Sequence, residues 1–180
     1  NASNKLAVID IVNNDFNSEA TSSGCVRVKK YGAGSVVNFV GNTLKSSIDE
    51  VLTFDTDVAA TINVLANNFD VVATYTALGD KEGLTIANNT CNVAETKYAQ
   101  VDAAALATAK AELLAKTTVY YVADNAIVNS EVVTNGIPTL TPLSDKDGYK
   151  FIGWDYNQET DGPVSGYSYV ITAIYEALEA

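Results

Sequence analysis

The chain has 180 residues, 47% of them hydrophobic and 18% charged, enough for one ordinary globular domain or two small ones. Its net charge of −11 argues against a nucleic-acid surface, which needs clustered Lys and Arg to neutralise phosphates. Histidine is absent, which removes Ser-His-Asp and Cys-His nucleophile systems, His general bases and His-ligated metals.

The acid is unevenly spread. Residues 1–116 carry nine basic and thirteen acidic side chains, whereas 117–180 carry two and nine, and this shift sets an expected domain boundary near Lys116. No apolar run approaches the ~18 residues of a membrane span, so none is expected. The first residue is Asn1 and methionine is absent, as expected of a processed or trimmed product. Cys25 and Cys91 belong to no CxxC motif. They are candidates for a disulfide, which would stabilise by ~4 kcal/mol through closing so long a loop, or for two buried thiols.

In chain order, Lys5–Val12 is a short apolar run rich in β-branched residues and is expected to be a strand. Asn17–Gly24 is a polar loop, and Cys25–Tyr31 alternates Val26 and Val28 against Arg27 and Lys29 as a half-buried strand does. Gly32 and Gly34 lack the third glycine or the GK[ST] of a phosphate loop, so a hairpin turn into a strand at Val36–Val40 is expected. In Thr43–Phe54, Leu44, Ile48, Val51 and Leu52 recur at helical spacing, with Asn42 or Thr43 as cap, predicting an amphipathic helix. Val58–Leu65 and Phe69–Leu78 return to strand character, with Asn67-Asn68 as the turn between them. Leu84–Ala87 is a further short strand. Asn88-Asn89-Thr90 and Asn1-Ala2-Ser3 match the N-glycosylation sequon, a match that arises by chance in an Asn-rich chain. Asp102 caps an alanine-rich helix over 103–116 whose apolar stripe is Leu106, Ala107, Leu113 and Leu114; so little bulk suits close packing on a sheet.

From Thr117 the texture changes, and seven of the ten tyrosines and the single Trp154 follow. Thr118–Ala123 and Ile127–Val133 form a hairpin about Asp124-Asn125, and Pro138 and Pro142 keep the next segment out of a central sheet position. Tyr149–Trp154 and Tyr167–Tyr175 are the last two strands. By period 2, Phe151 and Trp154 fall on opposite faces, with Trp154 as a core anchor.

The fold class expected is therefore mainly β with one or two helices (α+β): a mostly-β body over 1–116 and a small β domain over 117–180. The pairs Asp55 with Asp57, Asp80 with Glu82, and Asp145 with Asp147 are spaced like fragments of calcium loops, but none continues as DxDxDG with a Glu at position 12. No cofactor is expected, a weak Ca²⁺ site being the one cation the pattern allows. Paired carboxylates acting on a sugar are the remaining enzymatic reading. They lack a partner nucleophile and a cleft signature, so the expectation is that the protein is not an enzyme.

The C-terminal third resembles the internalin-type B-repeat, or Listeria–Bacteroides repeat. The matching residues are Val119–Val122, Glu131–Val133, Asn135-Gly136, Pro138, Pro142, Gly148-Tyr149, Phe151, Gly153-Trp154 and Thr172–Tyr175, over about 60 positions. Asn157–Gly166, with Asp161-Gly162-Pro163, is longer than the family's usual loop. The resemblance implies a small β-grasp-like module of extracellular bacterial or phage proteins, acting as a stalk, spacer or adhesive unit without catalytic residues. Taken together, these features lead to the expectation of a structural or display protein, on a cell surface or a virion. Its partners would be copies of itself or neighbouring structural subunits, paired through strand edges or Lys5–Val12. The alternative is an adhesin-type module binding host-surface glycan or protein through exposed Tyr120, Tyr156, Tyr167 and Tyr169.

Overall fold

The computed structural model describes residues 5–19, 26–46, 52–55, 58–71, 82–92, 101–134 and 137–179. Over these residues the chain is mainly β with a single helix, an α+β protein. It divides into two compact units, Asn1–Leu114 and Ala115–Ala180.

The first unit is a stack of four coils in which every strand pairing is parallel. Coil one contains β1 (Val8–Val12), β2 (Asp15–Ser18) and β3 (Val26–Lys29). Coil two contains β4 (Val36–Val40), β5 (Thr43–Ser46) and β6 (Leu52–Asp55). Coil three contains β7 (Thr61–Leu65) and β8 (Asn68–Val71), and coil four β9 (Leu84–Ala87) and β10 (Thr90–Cys91). Like strands lie above one another in the sheets β1-β4-β7-β9, β2-β5-β8-β10 and β3-β6.

In-register stacking sends equivalent side chains into shared columns inside the coils. Ile9, Val37, Ile62 and Leu84 form one; Ile11, Phe39, Val64 and Ile86 a second; Phe16, Leu44, Phe69 and Cys91 a third. Val26 over Leu52 and Val28 over Phe54 line the remaining wall. Val37, Phe39, Leu44, Leu52 and Val64 have no exposed surface, and each such side chain contributes roughly 1.5–3 kcal/mol by leaving water. β-branched and aromatic residues suit these columns because they pack well on a pleated surface.

The corner after the first strand of each coil is built alike. Asn13, Gly41, Ala66 and Asn88 all take the left-handed conformation, with φ of 55°, 67°, 52° and 57°. Such a residue breaks the strand and swings the chain into the next sheet. Asn and Gly tolerate it; Ala66 does so at a cost.

Several expected elements are corrected. The helix over 43–54 is two strands, β5 and β6, with Leu44 and Leu52 both buried inside coil two. Their helical spacing arises because two short strands each place leucines inward. The Gly32–Gly34 segment is not a hairpin turn: β3 pairs with β6, while β4 lies between β1 and β7. Asn67-Asn68 is likewise a corner between sheets, and its left-handed residue is Ala66. Residues 72–78 of the expected strand lie outside the described residues.

The helix α1 spans Ala103–Leu114, and Asp102 Oδ1 accepts the Ala105 N–H at 2.8 Å as its N-cap. Leu106, Leu113 and Leu114 are half-buried, Ala107 is exposed, and no helix residue is fully covered, so the stripe is looser than close sheet packing requires. The aliphatic stem of Lys110 lies against Gly41, where an added Cβ would sit 3.2 Å from Lys110 Cε.

The second unit is one four-stranded sheet in the order β12-β11-β14-β13. β11 (Thr117–Ala123) and β12 (Ala126–Val133) form the hairpin, with Asp124 and Asn125 both at positive φ. Right-handed strand twist favours this turn. β14 (Tyr169–Ala177) runs parallel to β11 and antiparallel to β13 (Tyr149–Trp154), a β-grasp-like arrangement. Val119, Tyr121, Val133 and Ile171 form its core. Phe151 and Trp154 stand on the same face, contrary to the period-2 expectation. A register shift between Phe151 and Gly153, with Gly153 at φ 153°, inserts one residue and restores Trp154 to the core side. Its ring meets Tyr121 and Phe151 edge-on at 5.0 and 5.5 Å, and Nε1 donates to the Thr141 carbonyl at 2.9 Å.

Candidate interaction surfaces

The chemistry that organises the first unit is a column of asparagines at the shared corner: Asn14, Asn42, Asn67 and Asn89, spaced by 28, 25 and 22 residues. Asn42, Asn67 and Asn89 are at most 1% exposed. Each side-chain oxygen accepts the backbone N–H of the ladder residue one coil earlier: Asn14 to Asn42 at 2.9 Å, Asn42 to Asn67 at 2.8 Å, Asn67 to Asn89 at 2.8 Å. Each Nδ2 reaches back to a carbonyl of the preceding coil, Ile11, Phe39 and Val64 respectively for Asn42, Asn67 and Asn89, at 2.8–2.9 Å. A corner in the left-handed conformation turns its peptide groups out of the sheet ladders, and buried groups left unpaired are expensive. Asparagine carries donor and acceptor on one short stem and answers both. A second, half-buried row adds Asn38 Nδ2 to Asp10 Oδ1 and Asn63 Nδ2 to Asn38 Oδ1.

The two ends of the ladder differ. At the fourth coil, the Val101 N–H donates to the Asn89 carbonyl at 3.1 Å, the same position that Thr43, Asn68 and Thr90 occupy on Asn14, Asn42 and Asn67. Asp102 and α1 follow at once, so that corner is occupied. At the first coil Asn14 is exposed, and its Nδ2 donates to Asn42 Oδ1 at 3.1 Å and to the carbonyl of Val12 in its own coil at 3.0 Å.

The second unit presents a different surface. Along β11, Thr117, Val119, Tyr121 and Ala123 are buried, and Thr118, Tyr120 and Val122 lie on the other face. Their register partners there are Val132, Ser130 and Ile127 on β12 and Val170 and Thr172 on β14. Val132, Val170 and Ile174 are 59%, 45% and 41% exposed, so this face, which also carries Thr118, Ser130 and Thr172, presents uncovered aliphatic side chains among the described residues.

The four candidate tyrosines are not brought together. Tyr120 is half-buried on the uncovered face. Tyr156 and Tyr169 meet edge-on at 5.9 Å and pack against the core, and burial, with Asp161 nearby, raises the Tyr169 pKa. Tyr167 is exposed. Of the expected carboxylate pairs, Asp145 Oδ1 accepts the Phe151 N–H at 2.8 Å and Asp147 sits in the turn before β13. Asp57, Asp80 and the Asp55 side chain lie outside the described residues, as does Cys25. Cys91 is half-buried in an interior column. Among the described residues no three His, Cys, Asp or Glu side chains gather as a metal site, and no helix is long and apolar enough to cross a membrane.

The ladder, missed in the sequence reading, has a signal there. Val8–Phe16, Val36–Leu44, Thr61–Phe69 and Gly83–Cys91 share one nine-residue frame, apolar at positions two, four and nine, left-handed at six and Asn at seven. Aligning the chain on itself at unequal spacings exposes it; a search for a fixed period does not. No family model, no curated protein and no solved structure matches this chain.

Proposed function

We propose that this chain is a non-enzymatic structural or display protein of an extracellular surface or virion, such as a phage tail tube, fibre or capsid decoration or a bacterial cell-surface subunit. Its C-terminal unit serves as a β-grasp-like module of the B-repeat kind. The observation that carries this reading is the asparagine ladder. The buried amides of the first unit are engaged in holding its own coils in register, which makes that unit a self-supporting scaffold. Stacked-coil architectures bury their core between neighbours and present regular outer faces, the property a spacer or building block uses. Partners are then copies of the chain or adjoining structural subunits. Native mass spectrometry and electron microscopy at high concentration test this: ordered oligomers or arrays are expected, and compact monomers alone would overturn it.

A second reading rests on the uncovered face of the C-terminal sheet. Tyr120 beside Val170 and Ser130, with exposed Val132 on the same face, offers rigid contact area at little entropy cost, which suits adhesive binding of a protein surface. Tyr120→Ala is expected to abolish retention of host-surface proteins. Binding confined to a glycan array, and unchanged by that substitution, would count against it.

A further inference from the structure

We infer that the edge of coil one, unpaired by any strand among the described residues, is a docking site for an extended segment of another polypeptide carrying the same nine-residue frame, added as one more parallel strand and corner. The inference rests on the assembly reading above and specifies its partner. The hydrogen bonds from Val36 N–H to the Ala7 carbonyl and from Asn13 N–H to the Val40 carbonyl fix the alternation along β1. They turn the backbone groups of Val8, Asp10 and Val12 to the opposite edge. Ile9, Ile11, Phe16 and Val26 are only half-buried at this end, whereas Val37, Phe39, Leu44 and Leu52 beneath them have no exposed surface. The interior columns thus end on apolar side chains that another layer would cover.

The ladder states what that layer must carry. In coils two to four, each asparagine Nδ2 donates to the position-four carbonyl of the preceding coil. Asn14 Nδ2 donates to Asn42 Oδ1 and, where the others reach a preceding coil, to Val12 within its own coil, and its Oδ1 accepts no hydrogen bond among the described residues. An incoming strand with an asparagine at the seventh position delivers its backbone N–H and its Nδ2 to Asn14 Oδ1, as Asn14 and Asn42 deliver theirs to Asn42 and Asn67, and its position-four carbonyl to Asn14 Nδ2 in place of Val12. A second copy does not supply this strand head to tail, because Val101 already occupies the Asn89 corner. Two copies meeting edge to edge through coil one run antiparallel and do not continue the ladder.

The test titrates the intact protein with a synthetic peptide of the sequence Val36–Leu44, which holds Asn38 opposite Asp10 and Asn42 at the ladder position. Saturable binding below about 1 mM, with slowed hydrogen exchange at the Val8, Asp10 and Val12 amides, is expected. A peptide with alanine at the ladder position loses about tenfold in affinity, the scale of one or two hydrogen bonds. Asn14→Ala in the protein does the same; if that variant fails to fold, the peptide substitution alone decides. Absence of binding, equal binding by the alanine peptide, or protection elsewhere overturns the inference. So does self-association through this edge in sedimentation. Arrays seen by microscopy without peptide binding leave the scaffold reading standing and defeat only this docking mode.

Discussion

Asn67 has no exposed surface, and its amide meets four groups: the Asn42 N–H and Nδ2, the Phe39 carbonyl and Asn89 Oδ1. Replacing it by alanine orphans the buried Asn42 N–H and breaks the bonds to Asn42 Nδ2, the Phe39 carbonyl and Asn89 Oδ1 at once. A buried orphan costs about 1–3 kcal/mol, so Asn67→Ala is expected to lower stability by about 3–5 kcal/mol in denaturant unfolding. Asn14→Ala, exposed at the open end, is expected to cost no more than about 1 kcal/mol. Equal effects would mean that the ladder does not act as a buried network. The left-handed corners make a complementary test. Ala66 is buried at φ 52°, where a Cβ costs about 1–2 kcal/mol. Ala66→Gly is therefore expected to raise stability by about 0.5–1 kcal/mol after the added freedom of the unfolded chain. Gly83 is the opposite case: a Cβ there would sit 2.2 Å from the Ala60 carbonyl oxygen, at φ 78°. Gly83→Ala is expected to cost more than about 2 kcal/mol. The sequence reading took Asn67-Asn68 for a turn, Asn42 for a helix cap and Asn89 for part of a sequon, because an asparagine between apolar runs reads the same whether its amide faces water or the next coil.

Elements were recovered where their signal is local and lost where it depends on partners. Val36–Val40, Leu84–Ala87, the Asp124-Asn125 hairpin and the Asp102-capped helix follow from alternation, turn chemistry and capping, all read within a few residues. β5 and β6 do not, since a four-residue strand in a stacked coil is held by strands 25–28 residues away, and their leucines mimic a helical stripe. The bulge before Gly153 is invisible to a period-2 count for the same reason: it is fixed by the register against β14. Within the second unit, Glu131 ties β12 to the segment after it. Its Oε1 accepts the Tyr121 hydroxyl and the Thr139 N–H, at 2.5 and 2.6 Å. Burial alone pushes the Glu131 carboxyl up, but these donors outweigh it and hold the pKa below its ordinary 4.5. Burial, then the hydrogen bond to Glu131, raises Tyr121. A lowered carboxyl pKa contributes stability that is complete above the unfolded value and disappears as pH falls through the folded one. Unfolding followed by Trp154 fluorescence should therefore show the second unit weakening below about pH 4.5, with a shallower decline in Glu131→Gln. An unchanged pH profile in that variant would remove Glu131 from the account.

At the scale of the molecule, alternation and turn signals placed the chain among mainly-β proteins, but stacking of coils was hidden by their unequal lengths. Spacings of 28, 25 and 22 residues shorten the connections between sheets while keeping the nine-residue frame, so the geometry repeats where the count does not. A scaffold of this kind propagates order from coil to coil, and its interior should open only when the stack does. The most direct test is hydrogen exchange of the asparagine groups in the intact protein, followed by NMR. The backbone N–H groups of Asn42 and Asn67, and their side-chain amides, are expected to exchange only through unfolding of the first unit, while the Asn14 side-chain amide exchanges at close to solvent rates. Fast exchange at Asn42 and Asn67, indistinguishable from Asn14, would contradict the coil stack and the scaffold role built on it.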